Sequence, residues 1–154
     1  MYASRHSAVN AYARVGIETD VASANPHKLI LMLFEGARLS IATAKLHMQR
    51  NEVSAKGEAI SRAISIIDQG LKASLDVNAG GKLAGKLYAL YEYMCQRLLV
   101  ANLNNQPEIL DEVSNLLREL NAAWAAIGQD APGGTTNTRV AASVARLPTA
   151  LGRG

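Results

Sequence analysis

Four stretches of this chain repeat apolar residues at alternating intervals of three and four, the spacing that gathers side chains onto one face of an α-helix. In the first, Ile30, Phe34, Ala37, Ile41, Ala44 and Met48 form an unbroken stripe; in the second the stripe is Ile60, Ile64, Ile67 and Leu71. The third carries Leu83, Leu87, Leu90 and Met94, the fourth Ile109, Val113, Leu116, Leu120 and Ile127. Such faces leave water only by meeting one another, so the pattern calls for one shared core, and 154 residues is about one domain's worth of chain. Hydrophobic residues are 49% of the sequence but aromatics only 5%, and the excess is Ala and Leu, which favour helices and fill narrow interhelical space.

The boundaries are chemically marked. Asn25-Pro26 reads as an N-cap followed by proline at the first helical position, where its missing N–H costs nothing. Breaks follow at Asn51, across Asp76-Val77-Asn78-Ala79-Gly80-Gly81, and at Asn104-Asn105-Gln106, after which Pro107 starts the last helix. Connections this short return each helix antiparallel to its predecessor. The expected fold is all-α: an antiparallel up-and-down four-helix bundle over residues 25–127, with a core of Ile30, Phe34, Ile41, Ile64, Ile67, Leu87, Leu90, Met94, Val113, Leu116 and Leu120. Residues 1–24 are expected to form a flexible capping segment with a short helix, since Ala8, Tyr12 and Val15 share a helical face. Residues 128–154, rich in Gly, Pro, Thr and Arg, are expected to be a disordered tail.

Several kinds of chemistry are poorly served. The formal charge of +3 owes much to Arg139, Arg146 and Arg153 of the tail, set against Asp130, and no basic stripe in the body points to nucleic acid. Cys95 is the single cysteine, which excludes an internal disulfide and a cysteine-based zinc site, and its apolar neighbours suggest an inert buried thiol. His6, His27 and His47 show no ligand spacing, and Asp68 and Asp76 are too far apart to face each other on a helix. Gly80-Gly81-Lys82-Leu83-Ala84-Gly85-Lys86 approaches a phosphate-binding loop, but Leu87 stands where the magnesium-binding hydroxyl belongs and no strand precedes it. No enzyme activity, metal or cofactor is expected. Neither a signal-peptide core nor an apolar run near the ~18 residues of a membrane span is present, so a cytoplasmic protein without membrane insertion is expected.

What remains is more apolar helix surface than a four-helix core consumes. On the third helix Tyr88, Tyr91, Cys95, Leu99 and Asn102 make a second stripe beside the first. The second helix has a seam of small residues with one large one, Ala59, Ala63, Ile66, Gly70 and Ala73. Met32, Leu39 and Leu46 recur every seventh residue on the side of the first helix away from its stripe. These surfaces are either covered within the bundle, by the N-terminal segment or by a second copy in a weak homodimer, or they form a groove for an amphipathic helix of a partner. Spacing alone does not name that partner.

Longer matches do. Ser23-Ala24-Asn25-Pro26-His27-Lys28-Leu29-Ile30-Leu31-Met32-Leu33-Phe34-Glu35-Gly36-Ala37 resembles the signature TASPEKLILMLYDGA of the flagellar export chaperone family FliS. Ser74-Leu75-Asp76, then Gly80-Gly81, then Leu87-Tyr88-Ala89-Leu90-Tyr91-Glu92-Tyr93-Met94 are similar to that family's SLD, GG and LYALYDYM segments in order and spacing, and Ala101-Asn102 and Pro107-Glu108-Ile109-Leu110 fit as well. The resemblance runs from about Tyr12 to Trp124; Asn25, Phe34 and His27 depart from the serine, tyrosine and glutamate of the signature.

The resemblance implies a cytosolic chaperone of flagellar type III secretion that binds the disordered C-terminal segment of flagellin, blocks premature polymerisation and delivers the subunit to an export gate component. Tyr88, Tyr91, Cys95, Leu99 and Asn102, with Ala63, Ile66 and Gly70, are then the candidate client groove. Tyr12, with Ala8 and Val15, matches the place of a family tyrosine that covers this surface in the free protein. The alternative is a helical adaptor that uses the same grooves for a regulatory protein such as an anti-sigma factor.

Overall fold

The computed structural model describes residues 25–129, and all of their regular structure is helical. Helix α1 spans Pro26–Gln49; α2 spans Val53–Ser65 and runs on without a break into a π-helical stretch, Ile66–Lys72; α3 spans Val77–Asn104 and α4 spans Pro107–Gln129. The expectations for Ala8, Tyr12, Val15 and the tail fall outside the described residues.

Each end is set by the residue types that mark it. The Asn25 side chain accepts a hydrogen bond from the Lys28 N–H at 2.8 Å, closing the first turn of α1 with Pro26 inside it. Asn51 and Asn105 take positive φ, 58° and 52°, and so turn the chain out of α1 and α3. Asp76 caps α3 by accepting from the Ala79 N–H at 3.0 Å. The break foreseen through Gly81 is thus divided: one helical turn forms, and a kink follows at Gly81, whose φ of 58° and ψ of −136° suit only glycine.

Pairings between helices fix the topology. On α1 and α4, His27 meets Trp124, Glu35 meets Asn121 and Lys45 meets Asp111, so residue numbers rise on one helix as they fall on the other. The same inverse register joins α2 to α3, through Lys56 with Asn102 and Ile64 with Cys95. Tyr93 and Arg97 of α3 both reach Glu112 of α4. With α1 also packed along α2, the ring closes as an antiparallel up-and-down four-helix bundle.

The core is wider on each helix than one stripe. Leu33 with Phe34, Ile66 with Ile67, Ile109 with Leu110 and Leu116 with Leu117 are buried as adjacent pairs. A helix in a ring touches a neighbour on each side, which widens its hidden arc beyond the line read from spacing. For that reason Leu29, Leu33, Leu98, Leu110 and Leu117 are fully inside, whereas Ile30 and Leu87, near the starts of their helical runs, and Ile64, just past Leu71 at the edge of its arc, all expected in the core, are only half-buried against it. The other eight expected core residues are buried.

Candidate functional site

The outer face of α3 carries the longest line of large apolar side chains that the bundle leaves uncovered among the described residues, with Leu39 and Leu46 exposed on α1 and Val53 at the start of α2. At 100° per residue, Tyr88, Cys95, Leu99 and Leu103 fall within an arc of roughly 80°, turned away from Leu90, Met94 and Leu98. Tyr88 is 40% exposed, Leu99 54% and Leu103 80%, while Cys95 is half-buried. Beside this line, at the seam with α2, a shallow depression of about 650 Å³ is lined by Ser54, Gly57, Glu58, Ser61, Arg62, Ser65 and Asn102. Asn102 joins the two features, since it borders the depression while Leu99 and Leu103 flank it on α3.

The structure divides the candidate groove in two. Tyr88, Cys95, Leu99 and Asn102 reach the surface together; Tyr91, Ala63, Ile66 and Gly70 do not. Tyr91 is only 4% exposed because it lies at the edge of the α3 arc nearest Leu98, and its ring folds into the core. Burial pushes its phenol well above the ordinary tyrosine value, so it stays neutral. Ala63, Ile66 and Gly70 belong to the core because α2 faces α1 on one side and α3 on the other, which uses up the small-residue seam. Of that seam only Ala73 is exposed. On α1, Leu39 and Leu46 are exposed as their seven-residue spacing suggests, whereas Met32 packs against the core.

Charge frames the upper end of the α3 line. Lys72 stands 4.9 Å from the Tyr88 ring centroid and pairs with Asp68 at 2.7 Å and Glu92 at 3.4 Å. Its hydrogen bond to Asp68, more than any other contact, raises its pKa and keeps the ammonium charged. Cys95 donates from Sγ to the Ile64 carbonyl oxygen at 3.9 Å, and burial raises its pKa to about 11. Almost no thiolate exists near neutrality, so this cysteine contributes apolar bulk rather than nucleophilic chemistry. Among the described residues no group of three or more His, Cys, Asp or Glu is placed to hold a metal ion, and no helix is long and apolar enough to cross a membrane.

Two contributors escaped the sequence reading. Leu103, the most exposed large apolar residue described, lies one turn beyond Leu99 and continues its line. Lys56, only 5% exposed, donates from Nζ to the Asn102 carbonyl oxygen at 3.0 Å and to Asn105 Oδ1 at 2.6 Å. Its phase gave the signal: Lys56, Ile60, Ala63 and Ile67 follow intervals of four, three and four, which puts the lysine on the buried face.

Comparison with known proteins places this bundle. A family profile described as Flagellar protein FliS matches residues 8–131. A Flagellar secretion chaperone FliS of Salmonella typhimurium is 49% identical over 125 residues, which is 81% of this chain and 93% of the relative. The Flagellar secretion chaperone FliSB of Pseudomonas aeruginosa is 46% identical, over 80% of this chain and 96% of its own. A FliS of Bacillus subtilis keeps 29% identity over 70% of this chain and 78% of its own. An all-helical bundle of this topology, matched over most of its length, belongs to the FliS family of flagellar secretion chaperones.

Proposed function

We propose that this chain binds the disordered C-terminal segment of flagellin in the cytosol, prevents its premature polymerisation, and delivers it to a component of the flagellar type III export gate. It works by binding, not by catalysis. The observation that carries the reading is the exposed line Tyr88, Leu99 and Leu103 beside the α2–α3 depression. A segment that folds into an amphipathic helix on binding is held by apolar anchors spaced along such a face, and the entropy of ordering it must be met by that burial. Tyr91, Ala63, Ile66 and Gly70 then support this face from beneath. Tyr12, with Ala8 and Val15, covers the face in the absence of client.

Calorimetric titration of the C-terminal segment of the same organism's flagellin tests the proposal. Micromolar or tighter binding by the unaltered protein, lost in the double variant Leu99→Asp/Leu103→Asp while its helical circular dichroism is kept, is the expected result. A double variant that binds as well as the parent refutes the placement. Recovery of a transcription regulator with no flagellin in a pull-down favours the adaptor reading instead.

A further inference from the structure

The buried lysine of α2 has an unusual pair of partners. Lys56 spends its ammonium on the last turn of α3, reaching the Asn102 carbonyl oxygen and the Asn105 side chain from a different helix. A charge this far from water needs compensation, and it finds part of it at a helix C-terminus, where unsatisfied carbonyls and the helix dipole favour a cation. Ending α3 does not require it. The chain already leaves the helix through the positive φ of Asn105, with the Asn105 and Gln106 N–H groups both bonded to the Ala101 carbonyl oxygen. Helix α1 ends by similar backbone bonds, from Arg50 and Glu52 to the His47 carbonyl oxygen, with no lysine among the partners of that turn.

What the lysine adds is a tie from α2 to one turn of α3. The turn it holds contains Asn102 on the rim of the depression and Leu103 pointing into solvent, with Leu99 one turn before. Helix ends fray when left alone, and an exposed leucine on a fraying turn samples many orientations. We infer that Lys56 is a positioning residue for client binding: through Asn102 and Asn105 it fixes the last turn of α3 so that Leu99 and Leu103 stand preorganised as anchors. The inference rests on the reading of this face as the client site. Immobilising side chains before binding removes an entropic cost that each would otherwise impose on the complex.

The test compares three substitutions in the full chain against the flagellin C-terminal segment. Lys56→Met keeps the length of the side chain without its charge. Asn105→Gly removes one acceptor yet suits the left-handed backbone, and so serves if Lys56→Met fails to fold. Ile60→Val, in the core one turn along α2, reports the effect of lost stability alone. The expected result is binding weaker by about tenfold for Lys56→Met, and by less for Asn105→Gly. Amide exchange should also accelerate over residues 101–105 in the free protein, with neither effect in Ile60→Val and recovery of binding in Lys56→Arg. Unchanged affinity in Lys56→Met, or in Asn105→Gly where only that variant folds, overturns the inference. So does an equal loss in Ile60→Val at matched thermal stability. If Leu99→Asp/Leu103→Asp binds normally, the client-site reading itself fails; if that variant loses binding while the Lys56 series does not, only the positioning role fails.

Discussion

Adjacent leucines on α3 should answer truncation in opposite ways. Leu98 is 0% exposed and belongs to the central cluster; Leu99, the next residue, is 54% exposed. Replacing Leu98 by Ala removes buried methyl groups and leaves a void between helices that relax only in part, at a cost of about 2–5 kcal/mol. Full burial of a leucine is worth about 1.5–3 kcal/mol, and Leu99 already gives up roughly half of that to water, so Leu99→Ala should cost about 1 kcal/mol. In a chain of this size the Leu98 change corresponds to a fall in Tm on the order of 10 °C, the Leu99 change to about 3 °C. Urea titration followed by circular dichroism measures both, and an unchanged slope shows that the difference lies in stability. Binding should show the reverse order, with Leu99→Ala the more damaging under conditions where both variants are folded. Equal destabilisation by the two substitutions would mean that α3 is rotated from the orientation described, and the client face with it.

Other consequences are open to test. Gly81→Ala forces a side chain into φ 58°, ψ −136° and should cost about 1–3 kcal/mol by urea titration; a neutral result would mean the kink is not obligatory. His27 lies stacked on Trp124 at 5.2 Å, and burial lowers its pKa below 6.5, so the unfolded chain binds its proton more readily. The resulting stability is complete above pH 6.5 and is lost as pH falls through the lowered folded value, so the urea midpoint should drop as the pH is taken from neutral to below 6.5, and drop less in His27→Gln. Trp124, the single tryptophan, reports the same step in its fluorescence. Gly128→Ala would drive a methyl group into the His27 imidazole and should disrupt that stack, seen as altered tryptophan emission at neutral pH. Removal of residues 1–16 should leave flagellin binding equal or tighter and promote self-association; binding about tenfold weaker, on the order of 1.4 kcal/mol, would make Tyr12 a client contact rather than a cover.

The helices were legible because intervals of three and four, Asn25-Pro26, the asparagines at Asn51 and Asn105, and Pro107 all act locally, within a turn of where they stand. Depth was less so. Tyr91 and Leu99 share a stripe in the sequence, yet one is core and the other surface, because burial depends on which neighbouring helix lies beyond each edge of the arc. The small seam on α2 misled for the same reason: small residues leave a trough only where no helix fills it, and here α1 and α3 both come close. Lys56 was passed over because a lysine reads as solvated charge until its register with Ile60 and Ala63 is considered. The π-helical stretch Ile66–Lys72 has no marker that we can identify in its residues.

The central claim, that client meets the outer face of α3, is tested most directly by site-specific photo-cross-linking in the complex with flagellin. A photoreactive side chain is placed in turn at positions 99, 103 and 39, all exposed in the bundle, the last on α1, across the ring from α3. The account predicts cross-links to the flagellin C-terminal segment from positions 99 and 103 and little or none from position 39. Strong cross-linking from position 39 with none from 99 or 103 would contradict it.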